Sequence, residues 1–344
     1  SIDAAAEVTL LNDVLDSKTA SAVDTYVEVS ILASIVTRII GETTGTVASP
    51  TLTPQDFSAL GIPGVTASNL DEVLSALRNS NSNNNPVTDL SSLRTLVATA
   101  VQQARDAAIL RISQFDGSQN SVEPTLADFA NAEVAGVTAN NIASIRTAFA
   151  VIGSADSDST TEIAAVVSGF IAVLAGADST GNANVSLSVT QYQGFGITAI
   201  DTADKAELLN DVLDRKSLTS ADEYSEIVVL SNIMSDVFLL ATGGEPLSEV
   251  TAERLSLLGV SGVTAENLSL VLGAITALNG NTNGLNSFAD LQGIVNTVRA
   301  NQESALTIIK NYDGTNTVPT TLTFVALGVS GVDYRNIALV NQYL

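Results

Sequence analysis

Leu52-Thr53-Pro54-Gln55-Asp56-Phe57-Ser58-Ala59-Leu60-Gly61-Ile62-Pro63-Gly64-Val65-Thr66 is the stretch whose reading decides the fold. Thr53 stands at an N-cap position, where a hydroxyl satisfies orphan amides of a first turn. Pro54 follows at the first helical position and Asp56 three residues after Thr53, a capping-box arrangement. The helix is short, because Gly61 reaches the left-handed conformation that a helix end requires. Thr66 then reads as the cap of a second helix, whose Leu70, Val73, Leu74 and Leu77 fall on one face. A polar linker, Asn79 to Pro86, leads to a third and longest helix. Its stripe is Leu93, Leu96, Val97, Ala100, Val101, Ala104, Ala108 and Ile112, at helical spacing, and it ends at Phe115-Asp116-Gly117.

The same nine-residue frame occurs five times. Its hydroxyls are Thr53, Thr125, Ser188, Thr251 and Thr320, and its apolar anchors are Phe57, Phe129, Tyr192, Leu255 and Phe324. The last position holds Gly61, Glu133, Gly196, Gly259 and Gly328, so the second of these helices is expected to end differently. A Gly-Val/Ile-x-Gly/Ala-Val/Ile link follows, as in Gly61 to Val65, Gly259 to Val263 and Gly328 to Val332. Second helices are expected to start at Thr66, Thr138, Asp201, Thr264 and Asp333. Successive anchors lie 72, 63, 63 and 69 residues apart, the size of small helical modules. A longer period overlies this one: Leu10-Leu11-Asn12-Asp13-Val14-Leu15-Asp16 recurs as Leu208-Leu209-Asn210-Asp211-Val212-Leu213-Asp214, a shift of 198.

The expected fold is therefore all-α, a tandem array of three-helix modules of about 63–72 residues with a 198-residue three-module super-repeat. The modules fall at 50–121, 122–184, 185–247 and 248–316, flanked by partial modules at 1–49 (second and third helices) and 317–344 (first and second helices). Strands are expected to be minor, with a short extended piece around Ser186 to Ser188. Ser1-Ile2-Asp3 reads as a mature or excised start, and Leu344 falls inside a second helix. Two explanations stay open: a segment of a longer polypeptide, which is favoured, or ends completed by neighbouring subunits.

Composition narrows the function classes. Hydrophobic residues are 45% of the chain but aromatics only 4%, without Trp, so cores are built from Ala, Val, Ile and Leu. Against 14 Lys and Arg stand 37 Asp and Glu, a formal charge of −23 that disfavours nucleic acid and anionic lipid surfaces. The chain has no Cys and no His, which excludes disulfides, thiolate metal sites and imidazole catalysis. The apolar run Ile163 to Ala177 is too short to span a bilayer and contains Ser168 and Gly169, so it reads as a buried helix.

The acidic loops are the candidate ligand sites. Asp156, Asp158 and Glu162 lie close in sequence; Asp178, Thr180, Asn182 and Asn184 have alternating oxygens, but lack the Gly placement and terminal Glu of an EF-hand. Capping and turn formation are the expected roles of both groups, and Asp116-Gly117 and Asp313-Gly314 read as turns. Asn69, Asn141, Asn267 and Asn336 recur early in second helices and are expected to make local hydrogen bonds rather than bind glycans. The Asn-x-Ser/Thr sequons at Asn184 and Asn267 would carry no weight if the protein were bacterial. A catalytic pair should break the repeat at one place, and no such break occurs. No catalytic, cofactor-binding or metal-ligating residue is expected, nor any cofactor.

The stretch 52–66 and its partner Leu258-Gly259-Val260-Ser261-Gly262-Val263-Thr264-Ala265-Glu266-Asn267-Leu268 resemble helical tandem repeats of giant bacterial extracellular adhesin-like surface proteins. The resemblance runs through all five frames and implies an exported structural module; it carries over no functional residue. The expected function is a structural repeat segment at the cell surface or outside the cell, an adhesin stalk or filament that self-associates or continues in a longer chain. A glycan- or protein-binding module and a surface-layer lattice protein are the alternatives. Direct membrane insertion is not expected.

Overall fold

The computed structural model describes residues 2, 4–45, 49–82, 86–182, 184–280 and 284–344. Ser1 and Asp3 of the opening and residues 83–85 of the Asn79–Pro86 linker lie outside the described residues. Among the described residues there are 16 α-helices and no strand, so the protein is all-α. Ser188 is extended, at φ −81° and ψ 165°, but Ser186 to Ser188 do not form a strand. Contacts divide the chain into two compact units, residues 1–142 with 153–164, and residues 143–152 with 165–344.

The first unit holds α1 (Ala5–Asp16), α2 (Tyr26–Thr43), α3 (Pro54–Ala59), α4 (Leu70–Asn79), α5 (Leu90–Ser113) and α6 (Leu126–Asn131). Each start has a local cause. Thr25 caps α2 and accepts from the Glu28 amide, while the Glu28 carboxylate accepts from the Thr25 amide at 3.0 Å. Asp56 accepts from the Thr53 amide at 2.7 Å, and Asp89 caps α5 by accepting from the Ser92 amide at 2.7 Å. One apolar cluster joins Leu10 and Val14 of α1, Ile35 and Ile39 of α2, Phe57 of α3, Leu74 and Leu77 of α4, and Leu93 and Val97 of α5. Burying Phe57 completely is worth ~3–5 kcal/mol against its loss to Ala. Every residue of the long α5 stripe is buried except Val101, which is half-buried.

The second unit holds most of α7 (Ile142–Ile152) and the body of α8 (Thr160–Gly176), with α9 (Val189–Gly194), α10 (Ala203–Asp214) and α11 (Tyr224–Ala241). It continues through α12 (Ala252–Leu257), α13 (Leu268–Thr276), α14 (Phe288–Asn311), α15 (Thr321–Ala326) and α16 (Ile337–Asn341). The apolar run in α8 is a buried helix: Val166, Val167, Phe170 and Val173 face inward. Gly169 lets α8 approach closely, since a Cβ there would lie 2.3 Å from the Phe195 ring. Among the described residues, α11 alone is long and apolar enough to cross a bilayer; it carries Glu226 and Asp236 and buries Ile227, Ile233, Met234 and Val237 in the unit.

Two sequence expectations need correction. Second helices do not start at Thr66, Thr138, Thr264 and Asp333 but three residues later, with Asn69, Asn141, Asn267 and Asn336 at the N-cap. The intervening residues form a turn. At the remaining link, Thr202 rather than Asp201 caps α10, and Asp201 instead pairs with Lys205 Nζ at 2.7 Å. The helix α6 also ends as its counterparts do, despite Glu133. Glu133 takes φ +60°, as Gly61 takes +74°, and the same two bonds close both ends. The Val134 amide donates to the Phe129 carbonyl at 2.9 Å, and the Ile62 amide to the Phe57 carbonyl at 3.0 Å. The left-handed strain of a non-glycine residue, on the order of 1 kcal/mol, is offset in part by the Arg105–Glu133 ion pair at 3.1 Å.

Candidate functional site

The acidic loops resolve into turns and caps. Glu162 accepts from the Ser159 hydroxyl at 2.9 Å and from the Asp158 and Ser159 amides at 3.1 Å, so it closes the start of α8. The Ser159 hydroxyl is the main cause that holds its carboxyl below the ordinary range. Asp156 lies in a 3-10 turn just before, and bonds neither Asp158 nor Glu162. Asp178 accepts from the Thr180 hydroxyl at 2.6 Å, the Thr180 amide at 2.9 Å and Asn184 Nδ2 at 2.8 Å. Those bonds, Thr180 first, keep Asp178 ionised below its usual value. Both carboxylate oxygens are thereby used in the fold. Asp116 accepts from the Ser118 amide, and Asp313 from the amides of Thr315 and Asn316, each lowered in pKa by these bonds. Among the described residues no three acidic side chains gather closely enough to hold a metal ion.

The recurring asparagines form one hydrogen-bonded clasp in four places. Asn69 Oδ1 accepts from the Thr66 amide at 2.8 Å while its Nδ2 donates to the Gly64 carbonyl at 2.9 Å. Asn141, Asn267 and Asn336 bond Thr138 and Gly136, Thr264 and Gly262, and Asp333 and Gly331 in the same way. In each clasp the carbonyl of a glycine accepts from the asparagine. Gly64, Gly136, Gly262 and Gly331 have φ between +84° and +91°, which an L side chain resists. The amides are spent on the backbone, so these asparagines, with the sequon at Asn267, have a structural use.

An open groove of about 620 Å³ lies between α4, α5 and α6 in the first unit. Its floor is Ala76, Ala100 and Ala104, and its rim includes Asp71, Glu72 and Arg111. Arg111 is bound to Asp128 at 2.5 Å, and Asp128 also accepts from the Thr125 amide at 2.7 Å to start α6. The groove's one cation is thus neutralised by a capping residue. Another concentration of polar groups is the α10–α11 corner. Asp214 is buried, and its Oδ1 accepts from the Val185 amide at 2.6 Å. Burial pushes its carboxyl up, against the amides of Val185 and Asn184, and the charges of Asp211 and Asp178 add to the rise. Asn210 Oδ1 accepts from the Leu187 amide at 3.1 Å and the Tyr192 hydroxyl at 2.7 Å, while its Nδ2 donates to the Leu187 carbonyl at 3.0 Å.

No family model, no curated protein and no solved structure matches this chain.

The chain's own geometry therefore carries the functional argument. Its polar side chains hold links and helix ends in place, and the corner around Asn210, Asp214 and Tyr224 holds a backbone segment. The heptapeptide containing Asn210 and Asp214 reads in sequence as part of the repeat, with no contact assigned to it, and Tyr224 is not singled out there. Their signal was identity across the 198-residue shift: Asn12, Asp16 and Tyr26 are the same residues.

Proposed function

We propose that the chain is a structural repeat segment of an exported bacterial surface protein, whose helical modules pack end to end and side by side as an adhesin stalk or extracellular filament. In this reading it is a tandem array of three-helix modules of about 63–72 residues, grouped in threes at a period of 198, with no catalytic role. The carrying observation is the recurrence of whole elements. α1 and α10 span 5–16 and 203–214, α2 and α11 span 26–43 and 224–241, and α5 and α14 span 90–113 and 288–311. All three pairs are offset by 198. The four asparagine clasps support it further, because the same link closes with the same bonds ahead of four helices. Modules that meet mainly their neighbours build length in proportion to their number, and a charge of −23 limits unspecific clumping.

Negative-stain imaging of the purified protein tests the reading. Rods or filaments are expected; compact particles that bind a glycan array would overturn it.

A further inference from the structure

The α1–α2 corner and the α10–α11 corner carry matching residues in matching elements, yet their surroundings are opposite. Tyr26 and Tyr224 each open the longer helix, and Tyr26 is 88% exposed while Tyr224 is 2% exposed. Leu11 and Leu15 are half-buried where Leu209 and Leu213 are fully buried. Asn12 and Asp16 are exposed, whereas Asn210 and Asp214 are engaged. Within the second unit, the covering piece is the segment 185–195, backed by α8. Asp214 takes the Val185 amide, Asn210 takes both the amide and the carbonyl of Leu187, and the Tyr224 hydroxyl donates to the Phe195 carbonyl at 2.9 Å. The Tyr224 ring meets the edges of Phe170 and Phe195, both at 6.4 Å between centroids.

Asn210, Asp214 and Tyr224 therefore read mostly backbone. What they require is a shape: an extended stretch, then a short helix that ends on an aromatic residue. The first corner keeps the same asparagine, aspartate and tyrosine, and a groove of about 520 Å³ opens beside Tyr26 along Val29, Ser30, Ala33 and Thr37. The stretch 29–37 carries no charge, and neither does α8 from Ile163 onward; Arg38, which also lines the groove, is paired with Asp56, and Asp16 is the ion that docking would desolvate, as Asp214 already is. The bare corner thus continues, in matching residues, an interface already built inside the second unit.

We infer that the α1–α2 corner is a docking seat for another module of this repeat type, which enters as residues 185–195 do. Asn12 and Asp16 clamp the incoming extended stretch, and Tyr26 donates to the last carbonyl of its short helix. The inference rests on the repeat reading above and names the contact through which modules join.

The test uses the full chain extended by a second copy of residues 143–198 joined before Ser1, which preserves the 198-residue shift. Tyrosine nitration by tetranitromethane, mapped by mass spectrometry, reads access to Tyr26. Extension is expected to slow Tyr26 nitration about tenfold, towards the rate of Tyr224, and Asn12→Ala with Asp16→Ala to restore it. A synthetic peptide of residues 178–200 added to the unextended chain is the second arm; it should protect Tyr26 in a concentration-dependent way, and Asn12→Ala should abolish that protection. An unchanged Tyr26 rate in both arms, or protection indifferent to Asn12 and Asp16, overturns the inference. Protection that grows with the concentration of the unextended chain alone would put a different surface of a second copy on the seat, and overturns this occupant. Rods without Tyr26 protection sink the seat and spare the structural reading; protection without rods does the reverse.

Discussion

The joint between α2 and α3 and the joint between α11 and α12 solve one problem with opposite signs. In the first, Arg38 on α2 donates to Asp56 on α3, with Nη2 and Oδ1 2.6 Å apart. In the second, the long helix supplies the anion: Asp236 accepts from Arg254 on α12 at 2.7 Å. Each arginine also donates to the link between the helices, Arg38 to the carbonyls of Pro50 and Thr51, Arg254 to those of Ser248 and Glu249. The link is gripped from one side in one unit and from the other side in its counterpart. The comparison teaches that the position demands a matched pair and is indifferent to which helix carries which charge. A lone ion in either place is left desolvated without compensation.

The largest effect should come from breaking this symmetry at its more enclosed end. Asp236 is buried and also accepts from the Leu247 amide at 2.7 Å. Asp236→Arg sets two guanidinium groups against each other and is expected to lower stability to urea by ~3–5 kcal/mol. Adding Arg254→Asp rebuilds the first unit's arrangement and should recover all but about 1 kcal/mol. A double variant no more stable than the single one would show that the two joints are not equivalent.

Asp56→Asn tests the other joint, where one carboxylate serves as both cap and ion-pair partner; a loss of ~1–2 kcal/mol at neutral pH is expected. Burial pushes the Asp56 carboxyl up, but Arg38 and the Thr53 bonds outweigh it and hold it below the ordinary 3.8. Its folded value is depressed, so its contribution is present above 3.8 and disappears as pH falls through the folded value. The gap between wild type and Asp56→Asn, measured by unfolding at a series of pH values, should therefore close in acid. A gap that widens there would contradict the assignment.

Smaller effects probe the links. Asn69→Ala leaves the Thr66 amide and the Gly64 carbonyl without their partner and should cost ~1 kcal/mol, with Asn267→Ala equal to it if the clasps are equivalent. The smallest change is expected from Glu133→Gly, which relieves a left-handed glutamate but removes its pair with Arg105. A net gain of about 0.5 kcal/mol is expected, and a loss would show that the ion pair outweighs the strain.

Much of the fold was legible because its signals are local. Caps three residues from their partners, and apolar stripes within one helix, need no knowledge of the rest of the chain. All five anchors, Phe57, Phe129, Tyr192, Leu255 and Phe324, are buried as their spacing predicted. The misplaced helix starts had a local cause too: Thr66 looks like a cap, but Asn69 folds back to hold it and the helix begins afterwards. Glu133 was misjudged because propensity disfavours it, while the surrounding turn imposes the conformation. The joints were not legible. Arg38 and Asp56 lie 18 residues apart on different helices, as do Asp236 and Arg254, and only packing brings each pair together. Least legible was the corner around Tyr26 and Tyr224, where identical residues meet different neighbours and sequence alone does not distinguish them.

The asparagine clasp has a mechanical consequence. Each closes a loop of only six residues, Gly64 to Asn69 for example, so its re-formation needs no distant chain to return first. In the proposed surface fibre the chain would be tugged by flow and by whatever it is tethered to. A joint whose closure is local can give way under load and snap back into the same angle once the load is gone. In that proposed role such hinges would make a tether that yields without losing its register.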